Sequence, residues 1–213
     1  ARQAEWAKSE KYLQKAYKRL TGLHYMPEVD KTGAIYHTNP KDGEMLYYLG
    51  VVSQHLGKMS EAESFFWKST WYPGFQSASY LYLAEMYWKQ GKKTQAMEAI
   101  DESIALSGKS TQSKFVKAYF LSCLGKKSEA LSLLDENISF DPVDFLSIVE
   151  RARIKGDEAA AKRALAHMGI PLQESLEITT FYSSVGAYDE AVKFLDFVMA
   201  NGTSYSSTPM QKN

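Results

Sequence analysis

The strongest constraint on the fold is a set of small and apolar residues that returns every 34 positions between about Leu46 and Pro142. Four columns share this spacing: Gly50, Ala84 and Ala118; Gly57, Gly91 and Gly125; Ala62, Ala96 and Ala130; and Phe66, Ile100 and Leu134. Four aligned columns are hard to obtain by chance, and a period of this length indicates pairs of helices that stack on one another. The sequence therefore predicts an all-α solenoid of antiparallel helix pairs.

The small residues of these columns have a physical role. Two antiparallel helices approach to about 8–10 Å only where the facing side chains are short, which suits Gly50 and Ala62 on either side of a turn at Gly57. For the second helix of this pair, Ser60 and Glu63 form a candidate capping box. Residues that favour helix starts recur at the corresponding places: Thr94, Ser128 and Asp189.

The spacing of the columns changes along the chain and predicts four segments. After Gly125 the next turn glycines, Gly156 and Gly186, follow at intervals of 31 and 30 residues. The predicted segments are an N-terminal helix and an irregular or degenerate repeat in 1–42, three regular repeats in 43–142, two shortened helix pairs in 143–200, and a polar tail in 201–213. The lack of an initial Met and the polar end predict a fragment of something larger.

The columns resemble those of the tetratricopeptide repeat (TPR) family. In the first regular repeat the motif reads Leu46, Leu49, Gly50, Ser53, Gly57, Ala62, Phe66 and Ser69, where Ser53 departs from the bulky residue that the family prefers. The resemblance covers most of 43–200 and implies a right-handed superhelical solenoid. The entry Asn-Pro-Lys-Asp-Gly at 39–43 and the run Gly-Ala-Tyr-Asp-Glu-Ala at 186–191 are also similar to the repeat region of large bacterial multidomain proteins of uncharacterised function.

The TPR resemblance implies that the first helix of each pair lines a concave groove that binds a protein or peptide. The implied groove residues are Tyr47, Val51, His55, Tyr82, Glu85, Trp88, Lys89, Phe115 and Tyr119. Aromatic side chains anchor protein partners, although the same rings could instead pack between adjacent helices. Trp88 is expected to be the best exposed ring because it follows the core-like Tyr87. The family's clamp for a terminal carboxylate is disfavoured, since no Asn lies among the groove positions of the first regular repeat.

Composition excludes several functional classes. The 25 basic and 25 acidic residues balance, so the chain lacks the cationic density of a nucleic-acid binder. No run of about 18 apolar residues occurs, so no membrane span is predicted. Cys123 is the only cysteine, which excludes an intramolecular disulfide and leaves both the cytoplasm and the periplasm open as compartments.

No constellation of catalytic or metal-binding residues is found, and the chain is predicted to be non-enzymatic and without a cofactor. The four histidines are scattered, and none has a His or Cys partner at helical spacing. Glu85 and Glu150 are interpreted as members of ion pairs with the nearby Lys89 and Arg153. Cys123 is predicted to be a buried small hydrophobe.

The final predicted helix, from Tyr188 to Ala200, is apolar on nearly every side. A terminal helix normally has a polar outer face, so we expect this one to be covered and to support self-association through Phe194, Phe197 and Val198. The favoured function is a binding scaffold. The alternative is a structural helical segment of a larger bacterial enzyme or glycan-related protein, packed on its catalytic domain. An open groove favours the first, and a groove filled by 21–42 moves function elsewhere.

Overall fold

The computed structural model describes residues 5–20, 43–167 and 171–201, and it shows only helices and the turns between them in these ranges. The all-α prediction is confirmed there. The predictions for 21–42 and 202–213 lie outside the described residues. The helices are α1 (Trp6–Leu20), α2 (Glu44–His55), α3 (Met59–Ser69), α4 (Gln76–Lys89), α5 (Lys93–Leu106), α6 (Thr111–Cys123), α7 (Lys127–Phe140), α8 (Phe145–Lys155), α9 (Glu158–His167), α10 (Pro171–Ser184) and α11 (Tyr188–Asn201).

The chain divides into two compact units, residues 1–113 and residues 114–213, and the division falls in the first turn of α6. In the first unit α2 pairs with α3, α4 pairs with α5, and α1 packs on α2. In the second unit α7 packs on α8, α8 pairs with α9, and α10 pairs with α11. Each unit is thus built from helical hairpins.

Helix α1 occupies the place of the second helix of a preceding hairpin. The Trp6 ring stacks on His55 at the end of α2, with 3.9 Å between ring centres and 7° between planes. Farther along α1, the Tyr17 ring meets Phe65 of α3 edge-on at 6.5 Å. The start of α1 therefore lies at the end of α2, so α1 runs antiparallel to α2.

Among the residues that the structure describes, five glycine turns reverse the chain within the hairpins. Their φ angles are all positive, between 67° and 81°, a conformation that glycine adopts without steric cost: Gly57, Gly91, Gly125, Gly156 and Gly186. In every turn the N–H after the glycine donates to the carbonyl five residues earlier, at 2.7–2.9 Å. This shared hydrogen bond closes the first helix of the pair and directs the chain into the second.

The predicted capping box at Ser60 and Glu63 is wrong. Helix α3 begins at Met59, one residue before Ser60, and its N-cap Lys58 makes no side-chain hydrogen bond to the helix. The glycine turn leads the chain into the helix within two residues, so the start comes too early for Ser60 to cap it. A side-chain cap exists at α8 instead, where the Asp144 carboxylate accepts a hydrogen bond from the Ser147 N–H at 3.1 Å.

The small residues of the 34-residue columns lie in the core. The alanines of two columns are fully buried: Ala62, Ala84, Ala96, Ala118 and Ala130. At Gly50 an added Cβ would lie 2.7 Å from the buried ring of Phe66. Only glycine at this position lets α2 approach α3 with the phenylalanine in place.

A buried polar contact links consecutive hairpins and recurs with the repeat. In the first unit the Ser103 hydroxyl donates to the Ser77 carbonyl at 2.8 Å and lies 2.9 Å from the Ser113 hydroxyl. In the second unit the Asn137 amide donates to the Ser147 hydroxyl at 3.0 Å. Since these groups are buried, each contact satisfies polar atoms that would otherwise be costly to remove from water.

Substitution of Gly50 by Ala tests the close approach of α2 and α3. We expect Gly50→Ala to lower the free energy of unfolding by about 1–3 kcal/mol, because the new methyl group forces the Phe66 ring or the helices apart. Gly74→Ala is the matched control, since nothing lies within 4 Å of a Cβ built there. Urea denaturation followed by circular dichroism measures both, and equal losses of stability in the two variants would contradict the packing role of Gly50.

Candidate functional site

The first unit presents a tyrosine cluster, formed by Tyr47 and Tyr48 of α2 and Tyr82 of α4. The Tyr47 ring meets Tyr48 at 5.3 Å and Tyr82 at 5.7 Å between ring centres, both edge-on. Tyr48 is 42% exposed and the other two rings are half-buried, so the cluster offers aromatic edges and hydroxyls to solvent.

Two phenylalanine rings support the tyrosine cluster from below. Tyr82 stacks on Phe66 with 4.9 Å between ring centres and 13° between planes. Tyr47 touches Phe66 at 6.1 Å and Phe75 at 5.4 Å. Because Phe66 is fully buried, its ring fixes the positions of the Tyr47 and Tyr82 rings that pack on it.

The hydroxyls of Tyr47 and Tyr82 remain neutral at physiological pH. Burial, and then the neighbouring Tyr82 hydroxyl, raise the pKa of Tyr47 well above its ordinary value. Burial and the negative charge of Glu85 raise the pKa of Tyr82. Glu85 itself is buried on α4, one turn after Tyr82. The cluster therefore combines neutral hydrogen-bonding rings with a nearby acidic side chain.

The remaining predicted groove residues of the first unit differ in exposure. Val51 is half-buried, while His55 and Lys89 are exposed. The expectation that Trp88 is the best exposed ring is wrong, since it is only 5% exposed. The Lys93 ammonium lies 3.4 Å from the centre of the Trp88 ring, so a cation already occupies one of its faces.

In the second unit the predicted groove rings Phe115 and Tyr119 are buried beneath α10. The Phe181 ring of α10 meets Phe115 at 4.7 Å with 64° between planes, and it meets Tyr119 at 5.2 Å with 90° between planes. Of the two alternatives for these rings, packing between helices is therefore the observed one. Helix α10 covers both rings through Phe181, and Arg153 of α8 lies against Tyr119.

A buried carboxylate lies next to these rings. Glu150 of α8 is 1% exposed. It accepts hydrogen bonds from Arg153 Nε at 2.7 Å, from Arg153 Nη2 at 2.5 Å and from the Tyr182 hydroxyl at 2.9 Å. The predicted ion pair of Glu150 and Arg153 is confirmed, and Tyr182 of α10 completes it.

Arg153 also contacts α6, next to the Tyr119 ring. Its Nη2 also donates to the Ser122 hydroxyl at 3.0 Å, and its guanidinium carbon lies 5.5 Å from the centre of the Tyr119 ring. Burial alone would lower the pKa of Arg153, but the hydrogen bonds and charge of Glu150 more than offset it and raise the pKa. The guanidinium stays charged and fixed in position.

Cys123 is exposed, so its predicted burial is wrong. It is the last residue of α6, just before the turn at Gly125, where the helix reaches the surface. Burial, and then contact with the Cys123 sulfur, raise the pKa of Tyr119.

Over residues 5–20, 43–167 and 171–201, no three His, Cys, Asp or Glu side chains are grouped to hold a metal ion. Across the same ranges, every helix is too short or too polar to cross a membrane.

The two partners of the buried ion pair are expected to differ in their contribution to stability. Arg153→Met leaves the buried Glu150 carboxylate without its cation and should lower the free energy of unfolding by about 3–5 kcal/mol. Glu150→Gln leaves a guanidinium that is 37% exposed and can be hydrated, so we expect a loss of about 1–2 kcal/mol.

Chemical denaturation of both variants measures this difference. Glu129→Gln is the control, because the Lys126–Glu129 pair is exposed on both sides and should contribute less than about 1 kcal/mol. A larger loss for Glu150→Gln than for Arg153→Met would show that the guanidinium, not the carboxylate, depends on the pair.

Solved structures of helical repeat proteins match the chain at low sequence identity. A tetratricopeptide repeat protein from Parabacteroides merdae matches with a TM-score of 0.56 and 13% identity, over 95% of this chain and 75% of that one. A thermophilic TPR protein from Thermus thermophilus matches with a TM-score of 0.54 and 15% identity, over 88% and 91% of the two chains. MamA matches with a TM-score of 0.50 and 16% identity, over 93% and 90%. No protein-family model and no curated protein matches the sequence.

Proposed function

Because the chain has the tetratricopeptide-repeat fold, we propose that it is a non-enzymatic scaffold that binds a protein or peptide segment on the first helices of its hairpins. The observation that carries this proposal is the tyrosine cluster. Its rings are partly exposed, rest on a buried floor and keep neutral hydroxyls. Tyrosine presents a large contact area with few rotatable bonds, which suits it to anchor a partner.

The proposed binding residues fall into two groups. Exposed and half-buried members touch the partner directly: Tyr47, Val51, His55, Tyr82 and Lys89. Buried members support the first helices of their own unit: Glu85 and Trp88 in the first unit, and Phe115 and Tyr119 in the second. Since the Tyr47 and Tyr82 rings are already in contact without a partner, the ordering cost of binding falls mainly on the partner segment.

A photo-crosslinking side chain locates the bound segment. We expect p-benzoylphenylalanine at position 48 to form covalent adducts with the partner in cells, because Tyr48 is the exposed edge of the tyrosine cluster. The matched control carries the same group at Tyr12, an exposed tyrosine of α1 that does not belong to the tyrosine cluster. Adducts of equal yield at both positions, or adducts at Tyr12 alone, would overturn the proposed site.

A second role, self-association through α11, is favoured by an apolar outer face. Tyr188, Val192 and Met199 lie on one side of this helix and are exposed, Met199 by 83%. Of the three residues expected to mediate the contact, Phe194 is buried and Phe197 and Val198 are half-buried. We therefore propose that the contact between copies runs through Val192 and Met199, with the other three supporting the helix from within.

Sedimentation velocity tests the self-association role. The chain is expected to dimerise with rising concentration, and a Val192→Glu, Met199→Glu variant should remain a monomer because two charges would be buried in the contact. Lys193→Glu, on the exposed polar side of the same helix, is the control and should dimerise as the unsubstituted chain does. A monomeric unsubstituted chain at all concentrations would exclude this role.

A further inference from the structure

The second unit contains a contact that a regular helical array does not produce. In stacked repeats each hairpin touches only its neighbours. Phe115 of α6 and Phe181 of α10 are 66 residues apart, and the complete α8–α9 hairpin lies between them in the chain. Their rings are nevertheless 4.7 Å apart. Helix α10 thus reaches past α8 and covers the aromatic residues that α6 would otherwise present.

We propose that α10 is an intramolecular occupant of this binding surface, and that its Phe181–Tyr182 pair, here called the aromatic plug, holds the place of a partner's aromatic segment. This inference rests on the proposed scaffold function. It adds that the second unit binds only after the plug leaves, and that its partner must offer the same chemistry as the plug.

The contacts of the plug define that chemistry. Phe181 places its ring edge-on between the rings of Phe115 and Tyr119, which is the geometry that aromatic quadrupoles favour. Tyr182 adds a hydroxyl that donates to Glu150 at 2.9 Å. A competing segment therefore needs an aromatic ring next to a second residue with an aromatic body and a hydroxyl donor.

The plug can leave without exposing an uncompensated charge. When Tyr182 departs, Glu150 keeps both hydrogen bonds from Arg153. Three other hydroxyls of α10 bond to carbonyls of their own helix, so these bonds move with it: Thr179 to Ser175, Ser183 to Thr179, and Ser184 to Phe181.

The test uses the plug sequence itself as the probe. A fluorescein-labelled peptide of residues 175–187 is titrated into the full chain and into its Phe181→Ala variant. We expect the dissociation constant for the variant to be at least about tenfold lower, because the apparent affinity rises with the fraction of chains whose surface is vacant. Leu176→Ala, which truncates an exposed residue of the same helix, should bind the peptide as the unsubstituted chain does.

A peptide with Ala at the Phe181 position should lose the binding, which would show that the aromatic ring is recognised. Equal affinity of the peptide for the unsubstituted chain and for Phe181→Ala, or no binding to either, would overturn the plug. Crosslinking at Tyr48 probes the first unit, so its failure would overturn the scaffold proposal while peptide binding to Phe181→Ala persists.

Hydrogen exchange of the unsubstituted chain gives a second measurement that needs no destabilising substitution. We expect amides of α10 to exchange at least about tenfold faster than those of α6, through openings that release the α10–α11 hairpin while α6 stays folded. Exchange of α10 and α6 at one common rate would overturn the inference, since the plug would then leave only when the whole unit unfolds.

Discussion

The glycine turn is the constraint on which the other features of this structure depend. Each of the five turns holds one residue at positive φ and closes with the same backbone hydrogen bond, from the residue after the glycine to the carbonyl five residues back. Such a turn reverses the chain in few residues, so the two helices of a pair must run antiparallel and in contact. Contact in turn requires short side chains, which explains why Gly50 faces a buried Phe66 and why the alanine columns are fully buried.

These local requirements are why the fold could be predicted from the sequence. A positive φ angle, or the close approach of two helices, restricts the residue type at a single position. In a repeat protein the same restriction recurs every 34 residues. The same spacing also marks Ser79, Ser113 and Ser147, yet serine is usually a surface residue, so this buried column was missed. Its members Ser113 and Ser147 join hairpins through Ser103 and Asn137. The 34-residue spacing of these serines indicated a structural role, but their polar residue type suggested surface positions.

Ser60 shows the opposite error, since a favourable residue type does not cap a helix that already begins one residue earlier.

The candidate sites were less predictable because exposure depends on residues far away in the sequence. Tyr48 and Trp88 are both aromatic residues of first helices, but the first is exposed at the edge of the tyrosine cluster and the second is buried. The shortened glycine spacing after Gly125 was visible in the sequence, whereas the contact between α10 and α6 was not. Only the folded structure brings Phe181 of α10 to the rings of α6 and places Cys123, at the end of its helix, on the surface.

Aromatic packing and hydrogen bonding have different roles in holding α10 against α6 and α8 in the second unit. Ring packing is weakly directional and could hold Phe181 in several registers against Phe115 and Tyr119. A hydrogen bond to a buried carboxylate is more selective, because a displaced Tyr182 would leave its own hydroxyl without the Glu150 acceptor. Arg153 holds that carboxylate in position through two hydrogen bonds of its own. The rings therefore supply most of the attraction, and the Glu150–Tyr182 bond selects one position, which is why a phenylalanine pair alone would make a poorer ligand than a phenylalanine followed by a tyrosine.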